Sequence, residues 1–140
     1  MRTFENPSDA QIYDILANPK TIAVVGCSPD PDRDSNQIAA LLKAKGHTII
    51  PVNPKCQEIL GERCYASLQD IPESVDVDMV DVFRRSEFVA QIADEAIAEQ
   101  TSILWLQLDV IDEAAARKAQ EAGLTVVMDR CPAIEYRKLF

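Results

Sequence analysis

Thr21-Ile22-Ala23-Val24-Val25-Gly26-Cys27-Ser28-Pro29-Asp30-Pro31-Asp32-Arg33-Asp34-Ser35 is the stretch that decides the fold. Its first five residues form an unbroken, chiefly apolar run, the mark of a strand buried on both faces. Gly26 ends the run, and a polar turn over 27–34 leads into a helix capped by Asp34 or Ser35. Ile38, Leu41 and Leu42 line one side of that helix, and Gly46 closes it. A buried strand that feeds a helix through a polar turn is half of a parallel crossover unit.

The same unit repeats outward in both directions. Upstream, Asn6-Pro7-Ser8 offers a cap for a short helix with Ile12, Ile15 and Leu16 on its apolar face, stopped at Asn18-Pro19. Downstream, Thr48-Ile49-Ile50-Pro51-Val52 reads as the second strand; Pro51 suggests that its end runs past the hydrogen-bonded part of the sheet. The stretch 53–77 is irregular, with a turn at Gly61 and a short helical turn at Ser67-Leu68-Gln69-Asp70. Met79-Val80-Asp81-Val82-Phe83 is the third strand, followed by a helix that Ser86 caps. Ser102-Ile103-Leu104-Trp105-Leu106 is the fourth, followed by an Ala-rich helix from Asp112 to Gly123. Thr125-Val126-Val127-Met128 is the fifth, and Tyr136, Leu139 and Phe140 in the tail dock on the body. Helices between strands require right-handed parallel crossovers. The expectation is an α/β fold: a doubly wound sheet of about five parallel strands between two helical layers, most simply ordered 3-2-1-4-5 in chain numbering.

Composition narrows the function classes. A chain of 140 residues fits one domain, 1–140, and buries enough surface to need no metal or disulfide staple. A net charge of −9 argues against a general nucleic-acid binder. The opening residues Met1-Arg2-Thr3-Phe4-Glu5-Asn6 contain no apolar signal stretch, and no run approaches a membrane helix, so a cytoplasmic protein with no membrane partner is expected. Cys27, Cys56, Cys64 and Cys131 are 29, 8 and 67 residues apart, without a C-x-x-C pair; free thiols and no metal site are expected. The one histidine, His47, cannot complete a catalytic triad in its setting, and no catalytic residue is assigned.

Ligands of such sheets bind outside the carboxyl ends of the strands. There the chain places Arg33, Lys55, Arg84, Arg85 and Arg130, five of its 14 basic residues. Arginine's planar fork suits phosphate, and helix N-termini add free N–H groups. A ligand with several phosphates fits this rim; the competing reading pairs the same cations with Asp30, Asp32, Asp34, Glu87 and Asp129. The first loop lacks two of the three glycines of the dinucleotide fingerprint and no acid ends the second strand, so NAD(H) is expected to bind poorly. Cys27, close to a helix N-terminus, is expected to be the most reactive thiol, and Cys131 to face the same edge. Trp105 reads as core.

Gly26-Cys27-Ser28 with Pro31, Arg33 and Ser35, Pro51-Val52-Asn53-Pro54, Ile59-Leu60-Gly61, Tyr65-Ala66-Ser67-Leu68, Val80-Asp81-Val82-Phe83-Arg84, Trp105-Leu106-Gln107 and Val127-Met128-Asp129-Arg130-Cys131 with Ile134-Glu135, in this order, resemble the small stand-alone CoA-binding proteins of bacteria. These in turn resemble the N-terminal CoA-binding domain of the succinyl-CoA synthetase alpha subunit. The resemblance covers the chain from about Asn18 to Leu139. It implies a Rossmann-like fold that holds coenzyme A, free or acylated, with Gly26, Cys27, Ser28, Arg33 and Ser35 in a first loop. Pro51, Val52, Asn53 and Lys55 would form a second, and Val82, Phe83 and Arg84 a third, with Gln107 beside it. The ligase's phosphorylated histidine lies in a region this chain lacks, so the resemblance implies binding without catalysis. The alternative is a small thiol-dependent or nicotinamide-dependent enzyme on the same fold. At Asp109 the chain departs from the family's usual Gly; Asp tolerates positive φ better than most residues.

Overall fold

The computed structural model describes residues 3–140; Met1 and Arg2, part of the opening segment read above, lie outside the described residues. Five parallel strands form the main sheet: β1 (Thr21–Val25), β2 (Thr48–Val52), β5 (Met79–Val82), β6 (Ile103–Leu106) and β7 (Thr125–Val127). Two two-residue strands that sequence reading missed, β3 (Glu58–Ile59) and β4 (Glu62–Arg63), make an antiparallel hairpin. It turns on Leu60 and Gly61, both at positive φ. Helices α1 (Asp9–Ala17), α2 (Asp34–Ala44) and α5 (Pro132–Leu139) share one apolar core face with the sheet. Helices α3 (Val89–Ala98) and α4 (Glu113–Glu121) share the other. The result is the expected three-layer, Rossmann-like α/β/α fold.

The strand order is β2-β1-β5-β6-β7. In the numbering of the five expected strands this is 2-1-3-4-5, which corrects the 3-2-1-4-5 expectation. The cause is legible in Pro51. A residue's N–H and C=O point to the same side of its strand, and the Pro51 carbonyl accepts from the Tyr65 N–H at 3.1 Å on the side away from β1. The missing donor of Pro51 therefore faces the edge of the sheet, where proline is tolerated. Pro51 also lies within the paired register, opposite Val24, rather than past the sheet's end. With β2 at the edge, β5 takes the place beside β1, and the strand order reverses between these two. The crevice outside their carboxyl ends is the topological switch point.

Helix ends refine the expected caps. Ser8 caps α1 reciprocally with Gln11, and Asp112 caps α4 through the Ala115 N–H. The N-cap position of α2 is Arg33, with no side-chain cap bond; Asp34 and Ser35 are already helical. Ser35 is instead buried and accepts the Ser28 N–H at 2.9 Å. Ser86 does not cap α3 either: it opens a 3-10 turn, donates to the Asp109 carbonyl at 3.3 Å and accepts the Ile111 N–H at 2.9 Å. It thus ties the loop after β6 to the loop after β5. Asp109 takes φ 66° and donates its N–H to the Asp129 carboxylate at 2.8 Å, so the turn survives without glycine.

His47 is a structural residue. Its Nδ1 accepts the Lys20 N–H at 3.0 Å, which leaves Nε2 to donate to the Tyr136 hydroxyl at 2.8 Å; that hydroxyl donates to the Leu16 carbonyl. Burial pushes the imidazole below its usual pKa, with a smaller contribution from Lys20. The chain ties α1, α5 and the start of β2 together. Tyr136 docks the tail as expected, Leu139 packs partly buried beside it, and Phe140 stays exposed, stacked on Tyr13 at 4.4 Å.

Candidate functional site

Gly26 is the pivot of the carboxyl edge. Its φ is +84°, and a Cβ there would stand 2.9 Å from the Phe83 carbonyl oxygen and 3.0 Å from the Arg84 side chain. Only glycine fits where the loops after β1 and β5 close on each other. On one side of Gly26 opens a cleft of about 490 Å³ lined by Ser28, Arg33, Asp34, Ser35 and Phe83. On the other lies a pocket of about 260 Å³ bounded by Val52, Pro54, Ser67, Arg84, Phe88 and Gln91. A third pocket, about 240 Å³, adjoins the first at Asp34 and Phe83 and reaches Gln107, Leu108, Cys131 and Ile134. The three share residues in sequence, so they form one groove along the carboxyl edge.

The loops that frame the groove hold themselves in shape. The Asn36 amide donates to the Ser28 carbonyl and the Asn53 amide to the Cys27 carbonyl, both at 2.9 Å, so the second loop buttresses the first. Asn53 Oδ1 in turn receives the Lys55 N–H at 2.9 Å. The first two N–H groups of α2 are left without a side-chain cap, at the wall of the cleft.

The five cations divide into two sets. Arg85 pairs with Glu87 at 3.2 Å, and Arg130 reaches Glu135 at 3.7 Å while donating to the Asp129 carbonyl. These two follow the internal-pairing alternative, with Glu135 in place of Asp129. Arg33, Lys55 and Arg84 have no acidic partner within 4.0 Å among the described residues. Arg84 is half-buried, with its guanidinium over the Phe88 ring at 4.2 Å, an arrangement that pre-orders the side chain.

Of the expected site residues, Gly26, Ser28, Arg33, Ser35, Val52, Phe83, Arg84 and Gln107 line the groove. Cys27, Pro51 and Val82 are buried beneath it, and Asn53 and Lys55 stand beside it. The expectation for Cys27 needs correcting. It is fully buried, and burial, with Cys64, Asp81 and Cys56 around it, pushes its thiol up to about 12. A helix N-terminus does not offset that desolvation. Cys131 does line the edge, in the third pocket. Trp105 is core, its indole donating to the Arg130 carbonyl at 2.9 Å. Sequence reading missed Ser67 and Phe88; the quoted Tyr65-Ala66-Ser67-Leu68 motif carried the first, and nothing local marked the second.

A doubly wound parallel sheet with a self-braced groove at its switch point is the architecture of a ligand-binding α/β domain. Residues 20–137 match the family model described as CoA binding domain, and the chain belongs to that family. It is 41% identical over 127 residues to the uncharacterized protein YneT of Bacillus subtilis, covering 91% of this chain and 93% of that one. A solved hypothetical protein from Pyrococcus horikoshii superposes with a TM-score of 0.89 at 36% identity, covering 99% of both chains. The chain is also similar to acetate–CoA ligase (ADP-forming) I of Archaeoglobus fulgidus, 44% identical over 65 residues. That match covers 46% of this chain and 10% of the ligase. No helix among the described residues is long and apolar enough to cross a membrane.

Proposed function

We propose that this protein binds coenzyme A, free or acylated, in the groove at the carboxyl edge, in the cytoplasm, and carries out no catalysis of its own. The observation that carries the reading is Arg84: a cation without an acidic partner among the described residues, held over Phe88 beside the glycine that lets the two central loops close. Coenzyme A carries a diphosphate and a 3′-phosphate. Arg33 in the cleft and Arg84 in the adjoining pocket stand on either side of Gly26 and supply bidentate donors for them, Lys55 adds a point charge, and the uncapped start of α2 adds backbone N–H groups. Asp32 and Asp34 also line the cleft, so an anion there is met by these directed donors rather than by net charge. Family membership supports the same ligand.

The burial of Cys27 speaks against the thiol-dependent alternative, and the amide of Asn53 after β2 against a nicotinamide dinucleotide, whose ribose favours an acid at that place. Native mass spectrometry of freshly isolated protein tests the reading. An adduct with the mass of CoA or an acyl-CoA supports it; protein that takes up neither from a millimolar solution overturns it.

A further inference from the structure

Asp81 lies in the middle of β5, paired with Val24 on one side and Trp105 on the other. It is 0% exposed, and its Oδ2 has no hydrogen-bond partner among the described residues. An incompletely satisfied carboxyl at the centre of a sheet weakens the fold, and an apolar residue would pack there at no such cost. Its one hydrogen bond is the short one it accepts at Oδ1 from Gln107 Nε2, at 2.7 Å. Gln107 is itself only 6% exposed and lines the third pocket. With Nε2 turned inward onto Asp81, the acceptor Oε1 is the end of the amide left for the pocket.

The pocket's remaining walls are mostly apolar. Phe83 and Ile38 form its sides, and Leu108 and Ile134, 48% and 44% exposed, present apolar surface at its mouth. Its charged residues, Asp34 and the exposed Arg137, are of opposite sign, whereas Arg33 and Arg84, without an acidic partner among the described residues, lie at the other parts of the groove. A ligand with an anionic end and a less polar arm therefore fits with its phosphates near Gly26 and its arm here.

We propose that Asp81 is a positioning residue, which locks the Gln107 amide so that its Oε1 accepts a hydrogen bond from the pantetheine arm of the ligand. The inference rests on the CoA reading above. The donor on the arm is an amide N–H or the terminal S–H. Asp81 never touches the ligand; it sets which end of Gln107 the ligand meets.

Titration calorimetry at pH 8 tests this with CoA, with S-methyl-CoA, which keeps the amides but has no S–H, and with 3′,5′-ADP, which has no arm. Asp81→Leu removes the anchor and should weaken CoA binding roughly 3- to 10-fold, while leaving 3′,5′-ADP affinity within about twofold. Asp81→Asn keeps an acceptor and should lose less. In a Gln107→Ala background, Asp81→Leu should cost nothing further. S-methyl-CoA affinity that falls in step with that of CoA on Asp81→Leu assigns the donor to the amides; insensitivity assigns it to the thiol. Equal losses for CoA and 3′,5′-ADP, no loss for either, or a full additional loss in the Gln107→Ala background would each overturn the role of Asp81. If the unaltered protein binds neither CoA nor 3′,5′-ADP, it is the CoA reading that fails.

Discussion

Replacing Arg84 with alanine removes a guanidinium that has no acidic partner within 4.0 Å among the described residues. A hydrogen bond to a charged group contributes about 1.5–3 kcal/mol, which corresponds to a 10- to 150-fold change in affinity. Arg84 is half-buried rather than enclosed, so solvent screens part of that term, and the loss should fall near the lower end, roughly 10- to 30-fold. Its stacking on Phe88 contributes on the order of 0.5–1 kcal/mol to the fold, so the variant should remain folded. Calorimetry with CoA measures the effect directly. Arg84→Lys should recover part of the affinity, because a point charge lacks the bidentate fork. Raising the salt concentration should weaken the unaltered protein more than the alanine variant. Pantetheine, which has no nucleotide phosphates, should bind weakly to both and be indifferent to the change. CoA affinity unchanged by Arg84→Ala, or pantetheine binding as tightly as CoA, would refute the phosphate argument.

Further outcomes follow from the same geometry. Gly26→Ala forces a side chain to positive φ and against the Phe83 carbonyl; it should cost about 2–4 kcal/mol in urea titrations and abolish measurable CoA binding. Alkylation followed by peptide mapping at neutral pH should label the partly exposed Cys56 and Cys131 first and Cys27 last; early labelling of Cys27 would contradict its burial. Burial raises the Asp81 carboxyl from 3.8 to about 7, so between those values the native protein holds a proton that the unfolded chain has lost. That contribution makes stability fall as pH rises through the window, and at pH 8 the penalty reaches about 4 kcal/mol at most. Asp81→Asn should accordingly gain stability over the unaltered protein as pH rises from 4 to 8, and a constant difference would be the adverse result. His47 has the opposite sign: its lowered pKa means that the unfolded chain takes up a proton the native imidazole refuses. Stability should therefore drop on acidification below about 6.5, and His47→Gln should flatten that arm of the curve.

Periodicity alone made the layered fold legible, because five apolar runs at strand length, separated by helical spacing, leave few other solutions. The order of the strands depended on one residue. Pro51 has no N–H to give an outer neighbour, and that already places β2 at an edge. The hairpin of β3 and β4 escaped because two-residue strands have no period to detect. At the site, Gly26 and the set of five cations were visible from sequence, since their chemistry is carried by residue type. What sequence could not order was burial. Cys27 lies between partly exposed Gly26 and Ser28, and Ser35 follows exposed Asp34; only the packed structure reveals that one is a sealed thiol and the other a brace for Ser28. The division of cations into paired and unpaired was equally hidden, because Glu135 reaches Arg130 from the next helix.

The central claim is tested most directly by titrating the purified protein with CoA and, separately, with NADH, at low salt in the same calorimeter. A groove built as described should bind CoA at micromolar concentrations or below, with one site per chain, and NADH at least 100-fold more weakly. No heat with millimolar CoA, or equal affinity for NADH, would contradict the account.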